Sequence, residues 1–381
     1  MRWTAWLVLV ACGKGGEPSH ASLAPAPAVA SKDSAKEPDD EEGECPKRGG
    51  PPTTAVRRSG LHVRILPHER GYVTFAPAFF HVIDDAGQEV DSVPPRTVPE
   101  HVIAMSAGYW FVSACEAGGC GPHGTGAIIN RVDRTTGASV QIAGPDEEIM
   151  FAEVVGDALY WATFGEYGLT GALRRVPIAG GKPTTLWTGT AVNAVLIRGA
   201  SAYVADDRTV SAVPLSGGRP RTLVKDLRSA HGLAVDDTYL YVTDRGDAYH
   251  ASNDSGSVLR VPLAGGKPEQ LAGPVRWPTV VGVDDDRVYF MGDDSGDVWA
   301  IPKAGGTPAL YIPMPPQDWP CRDSKWLHVG SQGLAYLRMS RGVDIDSGTL
   351  WSIRREWMTD PQQQFKHVVA KHGAPADDLR P

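Results

Sequence analysis

The residues in this chain that could do chemistry are carboxylates, histidines and aromatic residues, many of them in glycine-rich stretches. They are Glu116, His123, Glu166, Tyr167, His231, Asp244, Asp247, Trp277, Asp293, Asp294, Trp326 and Asp344. Two kinds of site use such a set. A hard cation such as calcium needs several oxygen ligands. A cationic or polar ligand would instead meet the acids, with tryptophans supplying contact area. Asp and Gly also serve plain turn chemistry, because an Asp carboxylate bonds nearby backbone N–H groups. Asp293-Asp-Ser-Gly296 and Asp344-x-Asp346-Ser-Gly348 have a metal-like local look, but neither continues into an EF-hand loop. No metal is therefore assigned. The chain has no G-x-S-x-G, no H-E-x-x-H and no P-loop, so no catalytic residue is assigned either.

A repeat must position these residues. Tyr72, Tyr109, Tyr160, Tyr203, Tyr241, Tyr289 and Tyr336 recur at intervals of 37 to 51 residues. A period of this size marks a repeat architecture. The clearest copies are Gly171-Ala-Leu-Arg-Arg-Val-Pro-Ile-Ala-Gly-Gly-Lys-Pro183 and Gly256-Ser-Val-Leu-Arg-Val-Pro-Leu-Ala-Gly-Gly-Lys-Pro268. Alternating apolar residues closed by Gly-Gly read as a β-hairpin. The prolines Pro177, Pro214, Pro262 and Pro302 lack an N–H and belong at strand ends. An upstream hairpin turns on Asp236-Asp237 in one copy and Asp284-Asp-Asp286 in another. Each unit thus holds four strands, and a single four-stranded sheet cannot bury both its faces, so units must stack.

The expected fold is all-β, a β-propeller of seven blades with four antiparallel strands each. Aligning Tyr72 to Gly87 on Tyr203 to Gly218 supplies the seventh blade; without it the count is six. In this geometry the loop after each second strand and the join to the next blade share one face. That face would collect the candidate residues, because function concentrates on long loops.

Composition is that of a globular protein, with 42% apolar and 22% charged residues. A net charge of −8 gives no support to nucleic-acid binding. Residues 1–11 hold Arg2 and a short apolar run that is too short to span a bilayer. Residues 12–54 are rich in Pro, Ala, Gly and charge and read as a disordered linker. About 40 such residues span roughly 35 Å. The propeller is expected over 55–370, with a tail over 371–381. Apart from Cys12, four cysteines remain, an even number that suggests disulfides. Cys115 with Cys120 closes a short Gly-rich loop and leaves Cys45 for Cys321.

Leu9-Val10-Ala11-Cys12 resembles the lipobox of bacterial lipoproteins. The resemblance implies removal of a signal peptide before Cys12, lipidation of that cysteine, and a place in the bacterial cell envelope facing the periplasm or the exterior. Several acyl chains on one residue would anchor stably. Leu159-Tyr-Trp-Ala-Thr-Phe164 and Leu240-Tyr-Val-Thr-Asp244, followed by Leu173-x-Arg175-x-x-Ile178 and Leu259-Arg260-x-x-Leu263-x-Gly265, resemble the YWTD repeat of low-density-lipoprotein-receptor-type propellers. Those propellers have six blades. The resemblance implies binding or scaffolding outside the cytoplasm. The expected function is a membrane-tethered binding module, monomeric, with no cofactor beyond a calcium ion. Its partner would be a protein or small polar ligand on the long-loop face. The alternative is a metal-dependent propeller hydrolase such as a lactonase.

Overall fold

The computed structural model describes residues 102–311, apart from 116–125, 147, 166–169, 247–254 and 293–296. It also describes the backbone of Ile312 and of the strands within 55–93 and 323–354, and the side chains of Leu327, Val329 and Leu334. Every element in these residues other than turns is a β-strand.

Strand pairing groups them into four-stranded antiparallel sheets, each in simple meander order. In chain order, β2 (Arg64–His68), β3 (Gly71–Ala76), β4 (Phe79–Ile83) and β5 (Glu89–Val93) form one. The next takes β6 (Val102–Met105), β7 (Tyr109–Cys115), β8 (Ala127–Asp133) and β9 (Ser139–Asp146). Then come β10 (Ile149–Val155), β11 (Ala158–Thr163), β12 (Gly171–Pro177) and β13 (Thr184–Gly189). After them stand β14 (Ala194–Arg198), β15 (Ser201–Ala205), β16 (Val210–Pro214) and β17 (Arg221–Val224). The following sheet holds β18 (Ala230–Val235), β19 (Tyr239–Asp244), β20 (Gly256–Pro262) and β21 (Glu269–Val275). It is succeeded by β22 (Pro278–Val283), β23 (Arg287–Gly292), β24 (Val298–Pro302) and β25 (Ala309–Ile312). In the last sheet, β26 (Asp323–Val329), β27 (Gly333–Met339) and β28 (Gly348–Arg354) are joined by β1 (Ala55–Val56), from the other end of the repeat.

The expected turn chemistry is present. β12, β16, β20 and β24 each end on their proline. Gly180 and Gly181 adopt φ of 100° and 138°, and Gly265 and Gly266 repeat this at 96° and 139°. These values lie in the region that glycine alone enters freely. At the other hairpin, Asp236 Oδ1 accepts from the amides of Thr238 and Tyr239. Its Oδ2 accepts from the Tyr241 hydroxyl at 2.8 Å. Asp284 makes the same three bonds to Asp286, Arg287 and Tyr289. Two of the repeat tyrosines are therefore tied by their hydroxyls to a turn aspartate five positions earlier.

Register corrects two details of the repeat. Tyr160 pairs with Arg175 and Tyr241 with Arg260, and the residue paired with the matching Arg131 is Phe111. Phe111, not Tyr109, is thus the equivalent of the other tyrosines, and Tyr109 lies two positions earlier. Tyr72 pairs with Ile83 whereas Tyr203 pairs with Ala212, so the gap-free match of those hairpins slips by two residues in the second strand.

The core lies between sheets, not within them. One cluster joins Phe111 and Ile129 to Leu159 and Trp161. Another joins Tyr160 and Leu173 to Val204 and Val213. Tyr203 and Val210 meet Leu240 and Val261, and Tyr241 and Val258 meet Val288 and Phe290. Tyr289 and Met291 meet Leu334. Both faces of each central sheet are thereby covered, which is why these strands read as runs of apolar residues on both sides. Arginines fasten the same interfaces. Arg131 donates to the carbonyl of Ile178 at 2.6 Å, Arg175 to that of Leu215 at 2.5 Å, and Arg221 to that of Leu263 at 2.5 Å. Arg260 donates to the carbonyl of Lys303. Each acceptor follows a repeat proline on the neighbouring sheet.

Candidate functional site

The joins between sheets and the segments after the second strands are hydrogen-bonded to one another. The Phe164 amide donates to the Glu148 carbonyl at 3.1 Å, and the Ala230 amide to that of Asp207 at 3.0 Å. The Arg245 amide donates to the Ser229 carbonyl at 2.8 Å. Each of these segments therefore lies against the join it is bonded to.

Of the candidate residues, His231, Asp244 and Trp277 have described side chains, and they come together. Asp244 ends β19. Its carboxylate accepts from the amides of Ser229 at 2.8 Å and Gly246 at 3.1 Å, and also from that of Arg228. It thus clamps the incoming join onto the outgoing loop. That clamp sets Arg245, which is only 6% exposed. Arg245 Nη1 donates to His231 Nε2 at 3.1 Å, and its guanidinium stands 5.5 Å from the Trp277 ring centroid.

His231 reaches this position through a bulge. The pairing of β18 with β19 skips from Ala230–Asp244 to Leu233–Val242, so His231 and Gly232 together stand opposite Thr243 alone. Bulges re-aim side chains, and they gather beside functional sites. Gly232 is required here. A Cβ on it would sit 2.6 Å from the Thr279 carbonyl and 2.9 Å from the Thr243 hydroxyl. Its amide donates to that hydroxyl at 2.6 Å.

The electrostatics follow from burial. Burial, and then the charge of Arg245, push the His231 pKa down to about 3. The ring is neutral at ordinary pH. Arg245 has only protons to give, so Nε2 is the acceptor and Nδ1 carries the proton. Trp277 has a backbone φ of 40°, uncommon for a residue with a side chain. Its buried indole N–H has no acceptor among the described residues. Strained backbone and unmet buried donors cluster at functional sites. The unmet donor of the cluster is therefore the Trp277 indole N–H, beside a neutral imidazole whose basic nitrogen is already engaged. It suits an acceptor-rich group such as a carboxylate or carbonyl. Among the described residues there is no group of three or more His, Cys, Asp or Glu placed to hold a metal ion.

The other candidates lie elsewhere. Trp326 is on β26, and only its backbone is described. Glu116, His123, Glu166, Tyr167, Asp247, Asp293, Asp294 and Asp344 fall outside the described residues, as do Cys12, Cys45, Cys120 and Cys321. Cys115 ends β7 and is exposed. Arg245 was legible only as one more loop residue; nothing local in the sequence marks it as the hub.

The sequence matches no family model and no curated protein. Among solved structures, the WD40 β-propeller domain of Doa1 superposes with a TM-score of 0.51 at 10% identity. The match covers 81% of this chain and 98% of that one. The computationally designed Ika8 protein gives 0.50 at 14% identity, covering 76% of this chain and 83% of that one. A chain of the nidogen/laminin complex gives 0.42 at 15% identity, covering 59% of this chain and 90% of that one. The fold is a β-propeller.

Proposed function

We propose that this chain is an extracytoplasmic binding or scaffolding propeller, tethered to the membrane through lipidated Cys12 and the linker to residue 54. Its working surface is the long-loop face. The observation that carries this reading is the Arg245–His231–Trp277 cluster. Its Trp277 indole N–H lacks an acceptor among the described residues, while the one candidate base in it, His231, is neutral and already engaged. The ligand is an acceptor-rich group on a protein or a small polar molecule.

Seven blades is the count we favour. The pairing of β1 with β28 supports it, because a sheet completed from both ends of the repeat closes a ring. A disulfide of Cys115 with Cys120 is part of the same proposal. Pairing of Cys45 with Cys321 remains the complementary proposal, as does placement in the bacterial cell envelope.

The test uses the full-length tethered protein, solubilised in detergent with its envelope. Wild type should enrich a specific envelope partner, and Trp277→Phe, which keeps the ring and loses the N–H, should release it. Turnover of a small molecule with no enriched partner would sink the reading. Cys12→Ser should move the protein from the membrane fraction to the soluble one.

A further inference from the structure

A second site lies between two sheets, away from the long-loop face. The outermost strand β13 and the next sheet's β16 and β17 flank an open groove of about 420 Å³, within the range of small-molecule sites. Thr185, Thr188, Thr222 and Ser211 line it, with Trp187 and Pro220. No charged side chain is among its lining residues.

Register explains why the groove is open. Ser211 pairs with Val204 on β15. The matching third-strand positions in the other sheets are Asn130, Arg174, Leu259 and Trp299. Three of these visibly fill the space beside the preceding sheet. Arg174 reaches Asp146, Leu259 packs into the cluster of Tyr203 and Val210, and Trp299 into that of Tyr241 and Val258. At Ser211 the filling side chain is missing.

Two further facts bear on what would occupy the space. Ser211 is 5% exposed, and it lines the groove. Trp187 is held in place by Gly189, whose hypothetical Cβ would lie 2.2 Å from the indole. The ring therefore lies over the glycine and leaves the groove free.

We propose that this groove binds a short neutral glycan. Four hydroxyls act as both donors and acceptors, which matches a ligand whose polar groups are themselves hydroxyls. The absence of charge in the lining disfavours an ionic ligand, and Trp187 and Pro220 supply the apolar flank that a sugar's C–H face requires.

The experiment is ligand-observed saturation-transfer NMR on the full chain with maltose, chitobiose and, as the rival occupant, a blocked tetra-alanine peptide. At least one disaccharide should show saturation in wild type. Ser211→Leu installs the residue that β20 carries at the matching position, so it should fold. It should weaken that binding at least about tenfold, or about 1.4 kcal/mol. Thr222→Val, on the rim, should weaken it several-fold with an unchanged thermal midpoint. Saturation of neither disaccharide, saturation of the peptide alone, or full saccharide binding by Ser211→Leu would each overturn the proposal.

Discussion

Arg245 donates from Nη1 to Nε2 of His231 at 3.1 Å, across 14 residues of sequence. This one bond fixes the histidine tautomer and holds the guanidinium near Trp277, while burial first, and then the Arg245 charge, keeps the ring neutral.

The pair has a pH signature. The ordinary His pKa of 6.5 falls to about 3 in the fold. Between those values the unfolded chain binds a proton that the folded chain refuses. Stability is therefore fully present above pH ~6.5 and declines as pH falls toward 3. Arg245→Met removes the neighbouring charge but not the burial, so the decline should become shallower. Urea unfolding at a series of pH values measures this. Equal slopes in wild type and variant would show that Arg245 does not control the ring.

The inter-sheet arginines make a separate prediction. Arg175 bonds the Leu215 carbonyl from a partly buried position. Arg175→Met keeps most of the apolar stem and loses the bond, which should cost about 1–3 kcal/mol. Asp237, whose side chain is 94% exposed, pairs with Arg198 at the surface. Asp237→Asn should change stability by less than about 0.5 kcal/mol. Chemical denaturation of both variants decides it. A similar small loss in both would mean the arginines do not fasten the sheets.

The sequence carried the repeat because its signals are local. Gly180-Gly181, the proline at each third-strand end and Asp284 beside Tyr289 are all read within one hairpin. The candidate cluster is different in kind. His231, Arg245 and Trp277 come from a first strand, a loop and an inter-sheet join, and only stacking of sheets brings them together. The groove at Ser211 was hidden for a related reason. A serine in a strand is unremarked until register shows Arg174, Leu259 and Trp299 at the same place. Tyr109 misled for the opposite reason. A tyrosine two positions early has the right spacing to within the variation of the loops, so sequence alone could not tell it from Phe111.

Asp236 should set the acid limit of one turn. Burial opposes its ionisation, but Lys303 at 2.5 Å, the amides of Tyr239 and Thr238 and the Tyr241 hydroxyl outweigh it, and the pKa falls from 3.8 to about 2. The folded state then holds its proton less tightly than the unfolded chain. Stability from this group is present above pH ~3.8 and lost as pH falls toward 2. Asp236→Asn should lower the thermal midpoint at pH 7 and flatten the acid decline. A variant as stable as wild type at pH 7 would remove the turn carboxylate from the account.

Glu153 should act in the reverse direction. It lies on first strand β10, paired with Tyr160. The residues at the matching positions are Pro67, Ala104, Leu196, Ala234, Gly282 and Leu327. Burial leaves the carboxyl poorly solvated and raises its pKa from 4.5 to about 7. Here the folded state binds the proton more tightly than the unfolded chain. The contribution is fully present below pH ~4.5 and is lost as pH rises through 7. Glu153→Gln, which stays neutral, should match wild type at pH 4.5 and exceed it in thermal midpoint at pH 8. The gap should open between those values. If the two proteins melt together at pH 8, the carboxylate has found a partner that neutralises its burial.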